Sequence, residues 1–359
     1  MAYITIDPKK LKKNYDYLDK VFRNKNIQWS VVTKLLCGNE TFLKELLQLG
    51  ISQVCDSRIT NLKHIKKLNP DVETVYIRPP SSRFIKSIVE FSDISLNTEI
   101  ETIKLLSAEA IKQRKVHKII IMIELGELRE GVMGDNLIDF YSKVFNLEGI
   151  EVVGIGTNLS CLNGVLPNQD KLIQLSLYKQ LIEAKFNKKI PFVSGGSSVT
   201  IPLIFHERLP KGINHFRVGE TLFLGTDVYN DEVFEFMENA VFTVHSRIIE
   251  LHKKPTVPIG ELGSNVTGSK LNTSEKETKN PFSYRAIIDL GLLDVDEKHI
   301  NPIDESVKIV GASSDMFVVD LGKNTVNYKV GDLIEFKADY MGILRLMNSK
   351  YIKKELQEN

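Results

Sequence analysis

The 359-residue chain has little of what marks several large protein classes. It holds three cysteines, Cys37, Cys55 and Cys161. They do not make a disulfide framework, and no metal-type spacing joins them, so a reducing compartment and no metal centre are expected. The 47 basic and 46 acidic residues leave a net charge of +1. That balance argues against a nucleic-acid partner, which calls for a strongly basic patch. There is no apolar signal core at the N-terminus and no run of about 18 apolar residues. Neither export nor a membrane segment is expected, and the expected location is cytoplasmic. The apolar fraction of 42% and charged fraction of 26% are those of a globular chain with about two domains.

What the chain does have is alternation. Asp7 and Pro8 mark a helix start, with the helix running to about Arg23. Strand-like stretches follow at 29–32, 53–56, 74–78, 94–97, 118–125, 152–158, 192–194 and 215–224, with helix-like stretches between them. Eight such units imply a parallel sheet closed into a (β/α)8 TIM-type barrel, an α/β fold, over residues 1–229. A doubly wound open sheet is the alternative. From residue 230 to 359 the pattern changes to short alternating stretches with Gly and Asn turns, which predicts a mainly antiparallel β domain. The polar run 264–280 reads as a loop.

In a barrel of this kind the chemistry sits at the carboxyl ends of the strands. Lys34 ends the first strand, in Val32-Thr33-Lys34. An amine in a buried setting loses solvation, deprotonates more easily and attacks carbonyls. The alternative is a lysine that reaches out to water. Ser194-Gly195-Gly196-Ser197-Ser198 follows the seventh strand and opens a helix, where backbone amides attract phosphate. A plain strand-to-helix turn is the alternative. Arg217, in the eighth strand, needs a partner, and Glu220 is one candidate. Arg129 follows the fifth strand within Glu127-Leu128-Arg129-Glu130, where a surface ion pair is the alternative. Asn158, at the end of the sixth strand, is either a site residue or a cap. A reactive lysine, a phosphate cradle and an arginine near the barrel centre together point to pyridoxal 5'-phosphate.

With these motifs the chain resembles the alanine-racemase-like fold type III family of pyridoxal-phosphate enzymes over nearly its whole length. Within it, the resemblance is closest to the amino-acid racemase group that includes ornithine racemase. The resemblance implies that Lys34 carries the cofactor as a Schiff base and that Arg129 steadies its phenolic oxygen. It puts Asn158 in a ring-stacking place and Arg217 opposite the pyridine nitrogen. Ser194, Ser197, Gly219-Glu220-Thr221 and, in the second domain, Tyr340 take phosphate-binding places. It also implies a homodimer whose sites are shared between chains.

The chain departs from the family pattern at two points. Gly291-Leu292-Leu293-Asp294 stands where alanine racemases have Gly-Tyr-Ala-Asp. Leucine moves no proton, so Asp294 and Cys161 are both candidates for the second base. Leu35-Leu36-Cys37-Gly38 replaces the segment that follows the family's lysine. The expected function is an amino-acid racemase for a diamino acid such as ornithine. A second ammonium calls for carboxylates, and Glu220, Glu261, Asp294 and Asp315 lie in segments expected at the mouth of the site. Asp315 and Glu261 are the substrate candidates. The alternatives are an alanine racemase of broad specificity, a fold type III decarboxylase or aldolase, and a non-catalytic pyridoxal-phosphate carrier, although a carrier of that type has no β domain.

Overall fold

A computed structural model of the chain describes residues 2–264 and 281–357. The chain divides into two units, one of Lys9–Asn239 and one that combines Met1–Pro8 with Ala240–Asn359.

The first unit is the barrel. Parallel strands Gln28–Val32, Gln53–Asp56, Glu73–Tyr76, Ile94–Asn97, His117–Met122, Ile150–Gly156 and Phe192–Ser194 lie side by side in chain order. The eighth, His215–Val218, pairs with Gln28–Val32 on one side and with the short strand Gly196–Ser197 on the other. Gly195 splits the seventh strand, so the ring is nearly closed, and the Asn214 N–H bridges to the Val193 carbonyl at 3.3 Å. Val32, Cys55, Val75, Leu96, Ile120, Met122 and Val153 share one buried cluster. They alternate along their strands, and each buried aliphatic side chain contributes about 1.5–3 kcal/mol. Helices pack outside. The first, Pro8–Asn24, buries Leu11, Tyr15, Leu18 and Phe22, spaced three or four apart as one helical face requires.

The eighth strand is shorter than predicted. Pairing with Gln28–Val32 runs out at Val218, and Gly219 then leaves the extended conformation (φ −129°, ψ −74°). Residues Glu220–Leu224 form a helical turn that ends at Gly225 with φ +65°. The Thr221 hydroxyl closes that turn by donating to the Thr226 carbonyl at 2.8 Å. β-branched and aromatic residues here serve a buried helix rather than a strand.

The second unit is a mainly antiparallel sheet. Its strands run in the order Ile300–Pro302, Leu333–Ala338, Phe242–Pro255, Phe282–Ile288, Phe317–Asp320, Lys308–Ala312. Tyr3–Ile6 joins it, antiparallel to Phe242–Pro255 and parallel to Lys353–Leu356. A helix not predicted from the sequence, Tyr340–Asn348, starts at Asp339, whose side chain accepts from the Gly342 N–H at 2.8 Å. Gly342 lowers helix propensity, but a Cβ there would press on the His299 carbonyl. Apart from Ser264, the polar run 264–280 lies outside the described residues. Among the described residues no helix is long and apolar enough to cross a membrane, and no group of three or more acidic, His or Cys side chains is placed to hold a metal.

Candidate active site

All eight barrel strands are parallel, so their carboxyl ends gather at one mouth. Thr33 closes the first strand with φ −90° and ψ 0°, a sparsely populated backbone region common at active sites. A single 3-10 turn, Lys34–Leu36, follows. Leu35 and Leu36 are buried, whereas Lys34 is exposed rather than buried as its strand-end position predicted. The turn is fixed from the next strand and helix. Thr33 donates its hydroxyl to Asp56 at 2.8 Å, Asp56 also accepts from Asn61, and the His64 ring bonds the Gly38 carbonyl at 3.1 Å. Burial of Asp56 pushes its carboxyl up.

Arg217 is 7% exposed and does not use Glu220. Its guanidinium donates to the Ser194 carbonyl and hydroxyl and to the Thr157 carbonyl at 2.8 Å. Burial lowers its pKa from the ordinary arginine value. Ser194 is fully buried in this contact. Ser197 caps the turn that follows, accepting from the Thr200 amide while its own N–H donates to the Thr200 hydroxyl. Ser198, the last residue of the turn singled out from the sequence, accepts through its oxygen from the amides of Gly219 and Thr221 at 3.4 and 3.3 Å. It ties the seventh strand's turn to the eighth strand's end, and Thr221 contributes there through its backbone.

Arg129 pairs with Glu130 through two hydrogen bonds, an arrangement that raises its pKa. It also donates to the Asn158 carboxamide oxygen, at 3.1 Å through Nη1. The ion pair considered from the sequence and the contact to Asn158 are thus both present. Cys161 is exposed beside them, its Sγ 3.2 Å from that same Asn158 carboxamide oxygen. The group that arranges this corner is Glu127, which sequence reasoning did not single out. It is 2% exposed. Its carboxylate accepts from five backbone amides, those of Ser160, Cys161, Leu162, Asn163 and Val165. Burial pushes its pKa up, but those amides outweigh burial and hold it at about 2. Its partners lie 33 to 38 residues further on, so no local pattern shows them.

In the second unit, Gly291–Asp294 packs on Ser313–Met316. The Leu292 and Leu293 amides donate to the Ser313 and Ser314 carbonyls at 3.0 and 2.8 Å, and a Cβ on Gly291 would collide with the Asp315 backbone. Asp294 accepts from the Ser349 hydroxyl at 2.8 Å. Asp315 is exposed, with the Ser314 hydroxyl 3.1 Å away. Tyr340 begins the helix described above, and Glu261 lies on an exposed, irregular segment.

The donor set at the barrel mouth fits pyridoxal phosphate chemically. Lys34 would offer an amine to the aldehyde, Arg217 a held cation to the ring nitrogen, and Arg129 a second cation to the phenolic oxygen. The Ser197 and Ser198 oxygens already accept from amides, which leaves each O–H as a donor for phosphate. Gly219 lies tight against Val32, where a Cβ would approach the Val32 Cβ to 3.2 Å, so the backbone there stays flush with the first strand.

The profile of the alanine racemase N-terminal domain family matches residues 6–227. An ornithine racemase of Acetoanaerobium sticklandii is 38% identical over 98% of this chain and 99% of its own. A lysine racemase of Thermotoga maritima is 29% identical over 98% and 97%. Among solved structures, an alanine racemase of Clostridium difficile superposes with a TM-score of 0.76 at 15% identity, covering 100% of this chain and 96% of that one. An alanine racemase of Bartonella henselae with covalently bound pyridoxal phosphate superposes with a TM-score of 0.74 at 18% identity, covering 99% of each chain.

Proposed function

The chain belongs to the alanine racemase N-terminal domain family, and from that premise we propose that it is a pyridoxal-phosphate-dependent racemase of a diamino acid, ornithine before lysine. The observation that carries the reading is the barrel mouth itself, where exposed Lys34 shares one end with the anchored Arg217 and the Arg129–Asn158 pair. Full-length similarity to racemases of ornithine and lysine supports it.

When bound, pyridoxal phosphate supplies an electron sink that acidifies the α-hydrogen of an amino acid joined to it. Lys34 holds the cofactor at rest and, once released, takes or returns the α-proton on one face. Arg217 donates a hydrogen bond to the ring nitrogen without giving up its proton, which restrains electron withdrawal and disfavours transamination. Arg129, aligned by Glu130 and Asn158, would hold the phenolic oxygen by donating to it. Ser197 and Ser198 hold the phosphate.

Two candidates stood for the opposite face. Asp294 is engaged by Ser349, whereas Cys161 is exposed at the barrel mouth beside Arg129 and Asn158. That contrast favours Cys161 as the second proton carrier. For the substrate, Asp315 and Glu261 are the carboxylates proposed for the distal ammonium, and Leu292 is a smaller side chain than the tyrosine of the family pattern. The proposal includes a homodimer, which light scattering would report as twice the monomer mass. The deciding assay compares kcat/KM for ornithine, lysine, alanine and serine. A tenfold preference for alanine, about 1.4 kcal/mol in the transition state, would overturn the diamino assignment.

A further inference from the structure

A second feature runs through the barrel from Arg217. Arg217 is a buried cation, and its hydrogen bonds go to carbonyls and a hydroxyl rather than to a carboxylate. The Ser194 hydroxyl that it meets lies 2.6 Å from His215 Nδ1. His215 Nε2 lies 2.8 Å from Gln53 Oε1, and Gln53 Nε2 lies 2.6 Å from Glu73 Oε2. Lys118 Nζ reaches the other Glu73 oxygen at 3.3 Å. Ser194 and His215 are 0% exposed and Gln53 1%, while the Glu73 and Lys118 side chains are 29% and 42% exposed. Gln53, Glu73 and His215 are the first residues of their strands. The series therefore crosses from the barrel's amino end to its carboxyl end.

The direction of every proton follows from the end that is fixed. A carboxylate only accepts, so Gln53 presents its NH2 to Glu73 and its oxygen to His215. His215 then carries its proton on Nε2. Burial, followed by the charge of Arg217, pushes its pKa down to about 3, so the ring is neutral and Nδ1 accepts from the Ser194 hydroxyl. The Ser194 oxygen is left to accept from Arg217. All the donors point the same way, from the guanidinium to the carboxylate, and dipoles aligned in this way strengthen one another. The other charged or titratable groups that Arg217 feels are Cys55, Glu130, Cys161 and Arg129, and none of them belongs to the series.

We propose that Ser194, His215, Gln53 and Glu73 form a polarised relay that couples a carboxylate at the far mouth of the barrel to Arg217 and sets how strongly Arg217 donates to the cofactor's ring nitrogen. These are positioning residues, and the proposal rests on the role given to Arg217 above. Glu73 offsets part of the Arg217 charge through the relay. Loss of Glu73 makes Arg217 a stronger donor, draws electron density from the ring and favours the deprotonated form of the cofactor's link to Lys34.

Two measurements test it. In protein labelled with 15N-histidine, His215 should be neutral with its proton on Nε2 at about pH 5. A proton on Nδ1, or an ordinary histidine titration, overturns the relay. This spectrum needs no cofactor. In the cofactor-loaded protein, the pH midpoint of the cofactor's absorbance change should fall by roughly half a pH unit or more in Glu73→Gln, as removal of a partly screened charge predicts. Gln53→Met, which cuts the relay without changing charge, should move it the same way. Ser194→Ala replaces that variant if it is too unstable. A shift in Glu73→Gln alone means through-space charge and overturns the relay, as does no shift in either variant. A wild-type protein that takes up no cofactor overturns the reading of the site as a whole, an outcome seen before any variant is made.

Discussion

Glu127→Gln is the most informative single substitution. In the native protein five amides from residues 160–165 converge on the Glu127 carboxylate and hold its pKa at about 2 against an ordinary 4.5. At 1.36 kcal/mol per pH unit that difference is worth at most about 3.4 kcal/mol. Solvent near the loop discounts it to about 1.5–3 kcal/mol. A folded-state pKa below the unfolded value means stability that is present above about pH 4.5 and is lost as pH falls toward about 2. Urea unfolding of the wild type should therefore weaken over that window. Glu127→Gln should lose about 1.5–3 kcal/mol at pH 7 and show a flatter acid limb. Hydrogen exchange localises the effect, because the amides of Cys161, Leu162 and Asn163 should lose protection in the variant first. Racemisation should fall as well, since the same loop carries Asn158 and Cys161. A variant as stable as wild type at pH 7, with unchanged exchange at 161–163, would refute the argument.

Other outcomes follow from the same geometry. Borohydride treatment of the loaded protein should fix the cofactor on Lys34, as read by peptide mass, and Lys34→Ala should lose both the visible absorbance and activity. Arg217→Glu sets a carboxylate against the Ser194 and Thr157 carbonyls and should cost about 3–5 kcal/mol in denaturant titration, beyond any effect on reaction fidelity. Cys161→Ala should slow α-proton exchange from one enantiomer far more than from the other, whereas Asp294→Asn should change stability more than that ratio. Gly196→Ala would drive a methyl into the Phe216 ring and should destabilise the barrel by about 2–4 kcal/mol in thermal melts.

Strands with local, period-two apolar patterns were legible in the sequence. Gln53–Asp56, Ile94–Asn97 and Phe192–Ser194 have the predicted bounds, and the eight-fold alternation that fixes the barrel follows from them. What depended on distant partners was not legible. Tyr3–Ile6 joins strands more than 230 residues away, and nothing in four residues states that. The helix at Tyr340 was hidden by Gly342, which the fold requires for close approach to His299. At the site, Lys34, Arg129, Asn158 and Arg217 stood out as polar groups at strand ends. Glu127 and the Gln53–Glu73 pair did not, because a carboxylate or carboxamide shows its purpose only when the groups facing it are known. Lys34 itself is exposed, since the turn that follows buries Leu35 and Leu36 and turns the lysine outward.

The central claim is most directly tested by incubating the cofactor-loaded protein with L-ornithine in heavy water and following mass, handedness and carbon dioxide together. Deuterium at Cα with loss of handedness toward an equal mixture of the two forms, and no carbon dioxide, is the result predicted. Release of carbon dioxide, or unchanged L-ornithine without deuterium while alanine racemises, would contradict it.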